Sequence, residues 1–140
     1  MSLLLDTNVL CALARPAENP RVLAFLSGFA PADFFVSAII LGELEKGWHL
    51  LPEESRKKGL REWISVTGQQ YAAQILSVDA AVARLWGELT ARSQRRGVAI
   101  PIADGLIAAT AVHHGLRVVT RNTRCFSESG AEVIEPWQEN

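Results

Sequence analysis

LLLDTNVL, residues 3–10, is the stretch from which the architecture can be read. Its three leucines leave no polar face, as in a short strand covered on both sides, and the carboxylate of Asp6 follows at the strand's carboxyl end. Ser2 to Asp6 is therefore expected as a buried strand. Thr7 to Ala14 continues as a brief helix until Arg15-Pro16 interrupts it, because a residue before proline disfavours helical dihedrals.

Working outward, the alternation repeats. Asn19-Pro20 predicts a helix start, with Asn as N-cap and Pro at the first helical position, leading into RVLAFLSGF. Phe34 to Ser37 reads as a second buried strand, and Ser37 caps the helix AIILGELEKGWHLL, which stops before Pro52. A polar helix is expected from Pro52 to about Val66, with Arg56, Lys57, Lys58, Arg61 and Glu62 toward water and Leu60, Trp63 and Ile64 inward. Ile75 to Ser77 is a third strand. Asp79 starts the longest helix, whose last turn carries Arg92, Arg95 and Arg96 and which ends at Gly97. Pro101 opens IADGLIAATAVHHG, closed by Gly115, before strands at Leu116 to Thr120 and Glu132 to Ile134. Short apolar strands separated by helices specify an α/β fold, a three-layer α/β/α sandwich around a mainly parallel sheet, with residues 1–140 as a single domain.

The chain has 140 residues, 49% hydrophobic and 21% charged, with 14 basic and 15 acidic side chains and a net charge of −1. Such a balance excludes a disordered chain and a uniformly basic nucleic-acid binder, so any nucleic-acid contact comes from a local patch. The apolar fraction is high for this size and points to an interface with a partner. Cys11 and Cys125 are too few and too far apart for a metal knuckle or a disulfide scaffold, and suit a reducing cytosol. No run reaches the roughly 18 apolar residues of a membrane span, and MSLLLDTN has no basic leader, so a cytoplasmic location away from membranes is expected.

Three carboxylates stand in apolar surroundings. Asp6 ends a strand, Glu43 lies in SAIILGELEKG on a face with Ile40, Leu44 and Gly47, and Asp104 lies in IPIADGLIAATAV on a face with Ile107, Ala108 and Ala111. Asp6 or Thr7 can serve merely as a helix cap, and Asp104 can merely complement a helix N-terminus. Glu43 sits too late for a capping box from Ser37, and Lys46 and Arg84 are the cations available to pair with it. A buried carboxylate needs a cation, a proton or backbone donors, and in open parallel sheets functional groups gather outside the carboxyl ends of the strands. Converging carboxylates are oxygen ligands for Mg²⁺ or Mn²⁺, and a cation so held can activate water against a phosphodiester.

Taken with their order along the chain, LLLDTNVL, SAIILGELEKG and IPIADGLIAATAVHHGLRVVTRNTRCF, followed by AEVIEPW, resemble the PIN domain and, within it, the VapC and FitB group of type II toxin–antitoxin ribonucleases. The resemblance covers nearly the whole chain. It implies a compact α/β/α sandwich, a Mg²⁺- or Mn²⁺-dependent endoribonuclease acting on RNA (tRNA among the candidates), a homodimer, and inhibition by a small antitoxin encoded alongside. Asp6, Glu43 and Asp104 match three acidic positions of the family, with Asp6 and Asp104 as the implied direct metal ligands. A fourth acid common in the family is missing, for Asn122 and Cys125 occupy the two places where it occurs. Asn122 can still offer a carbonyl oxygen or hold a ligating water, and Glu128 is a substitute from the next turn. Thr7, Asn8 and Thr120 match polar positions that orient acids or phosphate, and as strand-end and capping residues they also need no further role.

Basic residues offer RNA contacts at Arg15, at Arg56-Lys57-Lys58-Arg61, at Arg92-Arg95-Arg96 and at Arg117, although such clusters are commonly solvated helix faces; Arg121 and Arg124 adjoin the acids and are the better candidates. His113-His114 reads as a helix C-terminus, and Trp48, Trp63, Trp86 and Trp137 as core or interface anchors. An aspartyl-phosphate phosphatase is disfavoured because Asn8 stands where its second Asp is needed, and a dinucleotide site because no glycine-rich turn follows the first strand. The rival from another class is a PIN-like binding module that has lost activity and acts through its dimer and antitoxin surface. The missing fourth acid favours it, and three acids in costly surroundings oppose it. On sequence grounds both Asp6→Asn and Asp104→Asn are expected to fold at least as well as the native chain, since each relieves charge repulsion.

Overall fold

The computed structural model describes residues 1–138, except the side chain of Ser55. Five strands, β1 (Leu3–Leu5), β2 (Phe34–Ser37), β3 (Ile75–Leu76), β4 (Arg117–Val119) and β5 (Val133–Ile134), form one sheet in the order β3-β2-β1-β4-β5. Every pairing is parallel, with Leu4 opposite Phe35 on one side and Val118 on the other. Seven helices flank it: α1 (Thr7–Leu13), α2 (Pro20–Leu26), α3 (Ala38–Leu50), α4 (Glu54–Gln70), α5 (Ala80–Arg95), α6 (Ile102–His114) and α7 (Thr123–Glu128). The result is the three-layer α/β/α sandwich with a parallel centre. Leu3, Leu4 and Leu5 are all fully buried, as an apolar run in a doubly covered strand requires.

Local chemistry accounts for the element boundaries. Ser37 Oγ accepts the Ile39 N–H at 3.1 Å to cap α3, and Asp79 Oδ1 accepts the Val82 N–H at 3.0 Å to cap α5. Gly97 and Gly115, with φ of +80° and +67°, take the left-handed turns that end α5 and α6. Arg61 clamps α4 to α3 by a forked pair of bonds to the Glu45 carboxylate while its guanidinium lies over the Trp48 ring.

Several sequence expectations need correction. The polar helix begins at Glu54 and runs on to Gln70, because Ile64, Thr67 and Tyr71 carry its buried stripe past Val66; at 17 residues it, not the 16-residue α5, is the longest. Asn19 precedes α2 but makes no side-chain cap; its amide instead donates to the Ala12 and Arg15 carbonyls at 3.5 and 3.0 Å. The six-residue α7 forms where the sequence carries no helical signal, since TRCFSE is short and its one buried anchor, Phe126, shows no period. Gly47 is exposed rather than inward with Ile40 and Leu44. Among the described residues, no helix is long and apolar enough to cross a membrane.

Candidate active site

The strand order reverses between β1 and β4. The chain moves from β1 outward through β2 and β3, then returns to the other side of β1. Outside the carboxyl ends of β1 and β4 the two directions diverge and leave a crevice. Asp6, directly after β1, and Thr120, directly after β4, line it.

Asp6 is only 5% exposed and fully engaged. One carboxylate oxygen accepts the Thr7 N–H at 2.8 Å and so caps α1; the other accepts the Thr120 hydroxyl at 2.7 Å and the Asn8 amide at 3.4 Å. The Thr120 hydroxyl in turn accepts the Asn122 N–H at 2.9 Å and the Asn8 amide at 3.3 Å, which uses its donor and both lone pairs. Capping is thus one of Asp6's roles and not its only one. Burial nonetheless pushes its carboxyl pKa up, against the Thr120 and Thr7 hydrogen bonds and with added repulsion from Asp104.

Glu43 enters from mid-α3 and accepts the Thr7 hydroxyl at 3.0 Å. Burial raises its pKa too, opposed by that hydroxyl and reinforced by the charges of Asp6 and Asp104; Lys46 contributes only the weakest lowering influence, and Arg84 lies exposed on α5. Asp104 projects from the first turn of α6. The next residue explains its placement: a Cβ at Gly105 would meet the Trp86 indole nitrogen at 2.9 Å, so the absent side chain lets α5 and α6 close against each other. Trp86 is thereby a helix–helix anchor, and its indole N–H is the one buried side-chain nitrogen or oxygen of the described residues without a hydrogen-bond partner.

Asn122 and Cys125, the two places of the missing fourth acid, both turn to Asp104. The Asn122 amide reaches Asp104 Oδ2 at 3.4 Å and the Cys125 thiol at 3.5 Å. Burial, then the Asp104 charge, pushes the Cys125 thiol up to about 11, so it stays protonated and donates. Glu128 is no substitute: it lies at the far end of α7, and its carbonyl accepts from Ser93 and Arg96 of the α5 terminus.

The three acids thus act on one another electrostatically, and among the described residues no Arg or Lys forms an ion pair with any of them. No three His, Cys, Asp or Glu side chains of the described residues stand close enough to enclose a metal ion by themselves. The donor set instead suits a hard divalent cation that takes one or two carboxylates and completes its shell with water and phosphate, because uncompensated charge in a buried crevice is what such an ion relieves. Much of the basic surface is engaged elsewhere: Arg15 with Glu18, Arg56 with Glu53, Arg92 with Glu88 and Arg117 with Glu132. Arg124 is exposed on α7, and Arg121 stacks on Trp137. That contact joins positions distant in sequence and gave no local signal.

Comparison with known proteins places this arrangement in context. The sequence pattern of the PIN domain matches residues 3–131. The chain is 37% identical to Toxin FitB of Neisseria gonorrhoeae over 98% of its own length and 99% of that protein's. It is 33% identical to VapC ribonuclease Y4jK of Sinorhizobium fredii, covering 97% and 98% of the two chains. The fold superposes with a TM-score of 0.89 on a chain of the FitAB complex bound to an IR36 DNA fragment, at 35% identity and 99% and 97% coverage.

Proposed function

The chain belongs to the PIN-domain family, in its VapC and FitB branch, and from that premise we propose that it is the toxin of a type II toxin–antitoxin pair, a Mg²⁺- or Mn²⁺-dependent endoribonuclease. The observation that carries this reading is the mutual repulsion among Asp6, Glu43 and Asp104 near the switch point of the sheet, with no Arg or Lys of the described residues in an ion pair with any of them. In it Asp6 and Asp104 would hold the cation, Glu43 would orient the attacking water or a second cation, and Asn122 would assist through its amide. When bound, the cation supplies Lewis acidity, favouring attack by water and stabilising charge on the phosphodiester and its leaving oxygen. Thr7 fixes the Glu43 carboxylate, Thr120 and Asn8 fix that of Asp6, and both are therefore preorganised before RNA arrives. Residues 1–140 act as one unit. Its partners on this reading are RNA, a small cognate antitoxin and a second copy of the chain, in a cytosol that keeps Cys11 and Cys125 as the thiols they are here.

The test is cleavage of total cellular RNA by protein freed of partners, with Mg²⁺, with Mn²⁺, with chelator, and with Asp104→Asn as control. Discrete fragments that vanish with chelator and with the variant are expected. Cleavage equal in the native chain and Asp104→Asn overturns the assignment. No cleavage under any condition favours the second reading, a weakened PIN-like binding module. A specific feature speaks for it: Asn122 and Cys125, neither charged, contact Asp104 where a fourth acid is common.

A further inference from the structure

Beside the acids, where the chain passes from β4 to α7, Arg121 occupies a fixed position. Its backbone N–H donates to Asn8 Oδ1 at 3.2 Å, and the same Asn8 reaches Asp6 with its amide. Its guanidinium lies over the indole of Trp137, 4.2 Å from the ring centroid. Trp137 is held on three sides: Nε1–H donates to Asn19 Oδ1 at 3.0 Å, the backbone N–H to Glu135 Oε1 at 2.7 Å, and the carbonyl accepts from Arg21 at 3.1 Å. A cavity of about 270 Å³ opens here, lined by Arg121, Thr123, Glu135, Trp137 and Gln138.

We propose that this cavity is a nucleobase subsite, in which an unpaired base of the RNA stacks on the Trp137–Arg121 pair and presents its N–H edge to Glu135. The inference rests on the ribonuclease reading, since Arg121 connects through Asn8 to Asp6 and the base would belong to a nucleotide close to the scissile bond. Single-stranded RNA is recognised by stacking splayed bases on aromatic rings and guanidinium planes, with hydrogen bonds to their edges. Both planes are present. A phosphate fits less well, because Glu135 would repel it, whereas a carboxylate accepts from the N–H groups of a neutral base. Guanine is favoured, as its Watson–Crick edge carries two adjacent donors. Gln138 and Thr123 add an amide and a hydroxyl that both donate and accept. The cavity is small, suited to one flat ring system.

The experiment reads binding without cleavage. The full chain carrying Asp104→Asn, in chelator, is titrated with guanosine 5′-monophosphate, cytidine 5′-monophosphate and ribose 5-phosphate while the Trp137 indole N–H is followed by NMR, assigned by its loss in Trp137→Phe. Saturable displacement by guanosine monophosphate is expected, several-fold tighter than by the cytidine analogue, with ribose 5-phosphate inert. Arg121→Gln should weaken binding about tenfold, the effect of removing one stacked charged plane. Glu135→Gln should erase the preference for guanine and keep the stack. Equal displacement by ribose 5-phosphate overturns the proposal in favour of an anion site; no displacement by either nucleotide, with the spectrum otherwise native, overturns it outright. Because the probes are mononucleotides with no internucleotide bond to cleave, failure of RNA hydrolysis by the native chain is a separate result and leaves the binding result standing.

Discussion

Asp6 and Asp104 face the same crevice and are built on opposite plans. Asp6 is buried, receives bonds of 2.7 and 2.8 Å from a hydroxyl and a backbone N–H, and is rooted in two central strands. Asp104 is half-exposed, on the first turn of a helix, and its side-chain contacts are an amide at 3.4 Å and a thiol at 3.5 Å. One half of the site is therefore rigid without a ligand; the other is held by long, weak bonds that a cation can replace. The lesson is that two acids with the same proposed task differ in how much of their position the fold itself supplies.

The largest expected effect does not separate the halves. Asp6→Asn and Asp104→Asn should each lower RNA cleavage by on the order of 10²–10³-fold, the effect of losing one positioned electrostatic group. A fluorogenic RNA assay in which either variant stays within about tenfold of the native chain would break the site. Cation binding comes next. A Mn²⁺ concentration 100 times its Kd should stabilise the native chain by about 2.7 kcal/mol, a rise in Tm of several degrees, and Asp104→Asn should show almost none of it. Protons compete for these carboxylates, and burial raises the pKa of Asp6 and Glu43; Mn²⁺ affinity should therefore begin to fall, as pH is lowered, at a pH above the usual carboxylate range near 4. Calorimetry across that range checks the sign, and an affinity independent of pH down to about 4 would contradict it.

Stability is where the two acids part. In Asp6→Asn the new amide nitrogen faces the Thr120 hydroxyl and the Asn8 amide, leaving buried donors against a donor, at a cost of roughly 1–3 kcal/mol that offsets the relief of a buried charge. Asp104→Asn loses no comparable bond. Thermal melts without metal should place Asp104→Asn at or above the native chain and Asp6→Asn below Asp104→Asn; the reverse order would show that repulsion, not the hydrogen-bond network, dominates at Asp6. The expectation from sequence that Asp6→Asn folds at least as well as the native chain is the one that the three donors around its carboxylate put to this test. The smallest effect is the most local. Asn122→Asp adds a charge beside Asp104 and should tighten Mn²⁺ several-fold while lowering the metal-free Tm slightly, and unchanged affinity would remove Asn122 from the site.

Much of the architecture was legible because strands, caps and stops are written locally. LLL before Asp6, Ser37 before AII and Gly115 after HH each act within a few residues. What escaped did so for equally physical reasons. TRCFSE is too short for a helical period, and Asn19 met the rule for a cap while its amide found the Ala12 and Arg15 carbonyls. Glu43 could be suspected from its apolar neighbours, but not that Thr7 would hold it.

By itself, then, the chain's sequence determines the alternation of apolar strands and helices and the presence of three acids where burial is costly, because side-chain period and desolvation are properties of neighbours along the chain. Only the tertiary structure decides that Asp6 meets Thr120, 114 positions away, that Asn122 and Cys125 converge on one oxygen of Asp104, and that Arg121 lies on Trp137. These meetings depend on the order β3-β2-β1-β4-β5, which brings the carboxyl ends of β1 and β4 side by side, and contacts across such separations leave no mark on any local pattern.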